Sequence, residues 1–235
     1  MGAARLVLIE GMIGAGKTTT AKRIENWLTG RGEDARAFCE FAEDHPIRTR
    51  AVDRFRVASR LISGPPGHDT DGDMAGAPGV YAADQWRRLA EQCLRGRQTM
   101  ILESTFLQNS VMPAFIDGAP ADTVTEIFTM IERQVAPAEP LLVYLRPTDI
   151  VSAIARIHHT RGEPWASQNL AWVAASPWAR RRNLHGQEAV VKLYQAWESI
   201  VNELYDRYSF PKLMVTDPQH DWKAALTRIC TTVAD

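Results

Sequence analysis

The chain has 235 residues, with 27 basic side chains against 28 acidic ones and a formal net charge of −1. That balance excludes a protein built for bulk electrostatic attraction to nucleic acid, which needs a basic footprint. Hydrophobic residues make up 45% and charged residues 23%, the composition of a chain with a packed core rather than of a disordered one.

In chain order, Leu6 to Ile9 reads as a short buried strand. Directly after it, Gly11-Met12-Ile13-Gly14-Ala15-Gly16-Lys17-Thr18 fits the pattern G-x-x-x-x-G-K-[ST] at every fixed position. The chemistry explains the residue types. A polyphosphate is approached by bare backbone, and the three glycines remove Cβ where the chain curls, so that successive N–H groups turn inward. Lys17 is then expected to reach the β and γ phosphates of ATP or GTP, and Thr18 to offer a hydroxyl to Mg²⁺. The amides from Gly11 to Thr19 form the expected nucleotide contact. Ala21, Ile24, Trp27 and Leu28 continue at helical spacing up to Gly30, placing a helix N-terminus, and its dipole, behind the bound anion.

Ala35 to Phe41 reads as a second strand, Thr99 to Glu103 as a third, Leu141 to Leu145 as a fourth and Lys212 to Val215 as a fifth. The long connections between them hold helical patterning. The fold class expected is therefore α/β: a P-loop NTPase fold with a five-stranded, mostly parallel sheet flanked by helices, and ligands at the carboxyl ends of the strands. Residues 63–79, SGPPGHDTDGDMAGAPG, read as a flexible insertion between a helix ending near Ile62 and one starting near Tyr81; a lid and a tolerated surface loop are both open readings. No Pro/Gly/Ser linker divides the chain, so one domain over 1–235 is expected. Cys39, Cys93 and Cys230 form no C-x-x-C pair, and no window approaches the roughly 18 apolar residues that span a bilayer. A cytoplasmic protein with reduced thiols is expected, with no membrane and no nucleic-acid polymer as partner. The oligomeric state stays open, a homodimer included.

Several residues are candidates for chemistry beside the phosphate loop. Glu103 ends the third strand and could hold the metal, contact substrate or cap the next segment. Glu40, Glu43, Asp44 and His45 follow the second strand, and a group among them could take a proton from an attacking hydroxyl; spacing alone does not separate Glu40 from Glu43. Arg156 and Arg161 lie on and just beyond a helix after the fourth strand, where guanidinium groups in a lid of about 156–185 would cover charge on a transferred phosphoryl group. His158 and His159 read as solvent-facing rather than as metal ligands. Trp165, Trp172 and Trp178 read as packing residues, and Arg180, Arg181 and Arg182 as either a solvated rim or an anion-holding surface.

With these pieces placed, the sequence resembles the deoxynucleoside kinase and thymidylate kinase branch of the P-loop kinases. IEGMIGAGKTT is close to that branch's phosphate loop, YLRPTDIVSAIARIHHTRGE resembles its strand and Arg-containing lid, and KLMVTDP resembles the last strand before the adenine-side loop. The resemblance implies a base at the end of the second strand, matching Glu43 best and Glu40 second, and an amide for the acceptor base at Gln85 in YAADQW. Where nucleoside kinases carry an arginine after the third strand, this chain has Glu103-Ser104-Thr105. ESTFLQN and EDHPIR also resemble uncharacterised bacterial P-loop kinase-like proteins, which marks Gln108 and Asn109 as pocket candidates, beside His45, Tyr81 and Arg182. The expected function is phosphotransfer from ATP or GTP, with Mg²⁺, to a hydroxyl of a small nucleoside-like or sugar-containing acceptor, nucleoside antibiotics included. Nucleoside monophosphates are the next acceptor class and a regulatory NTPase is the alternative, although no [NT]-K-x-D segment occurs and the D-x-x-G matches at Asp69 and Asp73 sit in the insertion.

Overall fold

The computed structural model describes residues 4–48 and 78–234, without the side chains of residues 78–82. Residues 63–77, with the helix end expected near Ile62, and the side chain of Tyr81 lie outside the described residues.

Five parallel strands, β1 (Leu6–Gly11), β2 (Ala35–Phe38), β3 (Thr99–Glu103), β4 (Leu141–Arg146) and β5 (Lys212–Thr216), form one sheet in the order β2-β3-β1-β4-β5. Leu6, Val7, Leu8 and Ile9 are all fully buried, as a central strand covered on both faces requires. The two-residue period divides them. Leu6 and Leu8 face the larger core, with α2 (Pro78–Arg95), α3 (Met112–Asp117), α4 (Ala121–Val135) and α8 (Gly186–Arg207). Val7 and Ile9 face the smaller one, with α1 (Lys17–Thr29) and α9 (Trp222–Ala234).

The helices follow their apolar spacing. On α1 the buried Ala21, Ile24 and Leu28 share one face, and the Gly30 amide closes the last turn on the Asn26 carbonyl. On α4, Val124, Phe128, Ile131 and Val135 make the same stripe. Phe106, just after β3, is fully buried with its ring 5.3 Å from Phe128 and 5.9 Å from Trp86, which fixes the segment that leaves the sheet there. The expected lid is three helices in sequence, α5 (Ile150–Arg161), α6 (Glu163–Ala175) and α7 (Pro177–Arg180), with Gly162 at φ 81° between the first two. Arg156 and Arg161 therefore both lie on α5.

Two element boundaries move by three residues. β2 stops at Phe38 rather than Phe41, because Cys39 to Asp44 curl away from the sheet, the Ala42 amide bonding the Cys39 carbonyl. Helix α2 begins at Pro78 rather than near Tyr81, which suits proline in a first turn. Among the described residues, no helix is long and apolar enough to cross a membrane.

Candidate active site

Strand register brings the chemistry to one edge of the sheet. Ile9 pairs with Glu103 across β1 and β3, and Gly11 with Leu145 across β1 and β4, so the carboxyl ends of the three central strands are level with the phosphate loop. Gly11, Gly14 and Gly16 have φ of 151°, 77° and 91°, conformations that a side chain opposes. Each also has a different wall. A Cβ on Gly11 would lie 2.5 Å from the Leu145 carbonyl oxygen, one on Gly14 3.0 Å from Cβ of Ile157 in α5, and one on Gly16 against the Trp222 indole of α9. Gly11→Ala is therefore expected to cost about 3 kcal/mol through backbone strain and collision with β4, and urea unfolding checks it.

Lys17 is buried at the start of α1, and its Nζ donates to the Met12 carbonyl at 3.0 Å across the loop. Thr18 and Thr19 are exposed in the same turn. Lys17 is the cation that lowers two neighbouring acids, Glu10 and Glu40.

Around it the acids separate. The backbone N–H of Glu40 donates to Glu103 Oε2 at 3.0 Å, and Glu40 Oε1 accepts from Gln108 Nε2 at 3.3 Å, with the Asn109 amide as a further donor. Burial pushes the Glu40 carboxyl above its usual range and Glu103 adds to this, while Lys17 and the two amides pull it down. Glu103 is 4% exposed, and its Oε1 accepts from the Ser104 hydroxyl at 2.5 Å. Ser104, the position of the arginine in the resembled kinases, is thus a buried hydroxyl serving Glu103, held at φ 63°.

Glu43 is exposed, and its backbone carbonyl accepts from the Arg48 guanidinium. Glu40, not Glu43, stands with Glu103 and Lys17, because the chain turns at Cys39 and carries Glu43 outward. Asp44 pairs with Arg36 at the surface. His45 is buried and structural in its bonds. Its Nδ1 accepts from the Ile47 amide at 3.1 Å, which makes Nε2 the donor to Thr105 Oγ1 at 3.0 Å, and Thr105 in turn donates to the Glu103 carbonyl at 3.0 Å.

Other candidates are engaged elsewhere. Gln85 holds the backbone of Arg48, accepting from its N–H at 2.6 Å and donating to its carbonyl at 3.2 Å. Arg182 stacks over Trp178, its Cζ 4.4 Å from the ring, and bonds the Trp178 carbonyl, while Arg181 bonds the Asp117 carbonyl. These two arginines, just beyond α7, are held on main-chain carbonyls. Trp178 is buried and Trp165 half-buried as packing residues, whereas Trp172 is exposed.

A set of polar contacts that sequence reading missed joins α5, α6 and α8 (Gly186–Arg207). Burial pushes the Tyr194 hydroxyl upward, with Glu40 adding to this, while the Asn169 side chain and Arg161 pull it down. Asn169 Oδ1 in turn meets His158 Nε2 at 3.1 Å, and Trp165 packs edge-on with the His158 ring and under the Arg161 guanidinium. His158 is thus a bonded, half-buried group instead of a solvent-facing one; His159 is exposed. Arg156 is exposed one turn earlier on α5.

No family model and no curated protein matches the sequence. Solved structures similar to the chain include the YorR protein of Bacillus subtilis in complex with phosphorylated GDP, 13% identical with a TM-score of 0.49 over 97% of this chain and 95% of that one. Deoxyadenosine kinase from M. mycoides with bound dCTP is 16% identical, with a TM-score of 0.48 over 97% of each chain.

Proposed function

We propose that the chain is a kinase that transfers the γ-phosphoryl group of ATP or GTP to a hydroxyl of a nucleoside-like or sugar-containing small molecule. The observation that carries this reading is the meeting of Glu40, Glu103 and Lys17 at the carboxyl ends of β1, β2 and β3, beside the glycine cradle. A cradle whose three glycines all hold positive φ fits a polyphosphate lying on backbone amides.

In this scheme Lys17 leaves the Met12 carbonyl for the β and γ phosphates and stabilises charge on the transferring group. Glu40 accepts the acceptor's hydroxyl proton as its oxygen bonds to the γ phosphorus and the nucleoside diphosphate leaves. A carboxyl raised above its usual range is a stronger base for that task. Arg161, with Arg156 on the same helix, closes over the transferred group. Magnesium neutralises phosphate charge when bound, and Thr18 and Glu103 are the residues that would hold it, each Glu103 oxygen keeping a lone pair beyond its present bond.

The test is a screen of nucleosides, nucleoside antibiotics, nucleoside monophosphates and sugars for mass gain of one phosphoryl group, run beside phosphate release without acceptor. A kinase is nearly silent alone and gains turnover with one acceptor class. Phosphate release that is rapid and indifferent to every acceptor would instead mark a hydrolase.

A further inference from the structure

Glu10 is the least exposed acid among the described residues, at 1%. It precedes the first glycine of the cradle in a strand whose other residues are apolar. Burying a carboxylate there costs stability unless charge and hydrogen bonds compensate. The partners are specific. Oε1 accepts from the backbone N–H of Phe106 at 2.7 Å, and Oε2 from that of Gln108 at 3.2 Å. Both donors lie at the entrance of a π-helical turn, Leu107–Val111, whose first amides have no partner within the turn. Lys17 faces the same carboxylate electrostatically, and Tyr144 is its register neighbour on β4.

The π turn is also the segment that presents Gln108 and Asn109 to Glu40. One continuous path therefore runs from the Glu10 carboxylate through the Gln108 backbone and side chain to the Glu40 carboxylate. Phe106 anchors the near end of that path, its ring locked among Trp86, Phe128 and Tyr208 while its amide is held by Glu10. Without the carboxylate the aromatic anchor and the bond from the Asn109 amide to the Ser104 carbonyl remain, but the Gln108 amide loses its acceptor.

We infer that Glu10 is a positioning residue: by clamping the π turn it fixes where Glu40 stands relative to Lys17 and the acceptor hydroxyl. This rests on the reading of Glu40 as the base. The variant Glu10→Gln keeps the shape, but turns an NH₂ group toward part of the set of amide donors from Phe106, Leu107 and Gln108, so the clamp is weakened on that side.

The full chain is tested with two readouts. Amide hydrogen exchange at Phe106 and Gln108, measured without nucleotide, is expected to quicken about tenfold in Glu10→Gln, as loss of one hydrogen bond implies. In kinetics, kcat is expected to fall about 10- to 100-fold while KM for the triphosphate stays within about twofold, and Glu10→Gln is expected to add nothing in a Glu40→Gln background. Gln108→Leu leaves the clamp intact and cuts only the amide to Glu40. It serves if Glu10→Gln does not fold, and is expected to lower kcat and to be silent in the same background. Unchanged exchange, losses that multiply with Glu40→Gln, or a rise in triphosphate KM at constant kcat would each overturn the inference. A wild type that transfers no phosphoryl group removes the proposed function instead, and the exchange measurement then still decides whether Glu10 holds the turn.

Discussion

Lys17→Ala is expected to lower phosphoryl transfer about 10³-fold while leaving the fold intact, on the scale of removing one preorganised donor from a developing charge. The fold should survive because the Met12 carbonyl, which Lys17 holds at 3.0 Å, also accepts the Ala15 amide at 3.2 Å and is not orphaned. The electrostatic loss is larger than the structural one. Lys17 is the shared cation of Glu10 and Glu40, two acids that burial already pushes upward, and both move further up once it is gone. The triphosphate then meets acids where it needs a positive charge. Steady-state kinetics beside circular dichroism and urea unfolding test this. A folded Lys17→Ala protein with wild-type turnover would remove Lys17 from the mechanism.

The parts of this molecule legible from sequence are the local ones. The strands announce themselves as short apolar runs, most plainly the central β1, β3 and β4, which are covered on both faces, and the phosphate loop is contiguous, so its glycines and lysine specify the turn without help from the rest of the chain. Distance in sequence is what hides the remainder. Glu40 and Glu43 are three residues apart in an irregular loop, and what separates them is a bond from the Glu40 amide to Glu103, 63 positions away. Gln85 has the right chemistry for a base contact, but the Arg48 backbone has already engaged it. The Tyr194, Asn169 and His158 contacts join three helices and have no spacing signature. Glu10 is a different case: an acid inside LVLIEG was a visible anomaly, since a charged group in a buried strand demands partners. The signal was there in the pattern, and only its partners on the π turn needed the fold.

Glu40→Gln is expected to reduce kcat by about 10²- to 10⁴-fold, the range for losing a positioned proton acceptor, with little change in triphosphate affinity. The isosteric amide retains an oxygen for Gln108 Nε2, and the backbone N–H of Glu40 still reaches Glu103, so the surroundings persist while the basicity is lost. Glu43→Gln, at an exposed position, should change turnover by less than about twofold, as surface substitutions usually do. The pH profile gives an independent sign. Transfer requires the ionised carboxylate, so activity falls as pH drops through the folded-state value of Glu40, and burial places that acid limb above the ordinary carboxylate range. In Glu40→Gln the limb should vanish along with most of the rate. If Glu43→Gln abolished the limb and Glu40→Gln spared it, the proton would leave by the outer acid, and the cluster at Glu103 would have to be reassigned to holding metal alone.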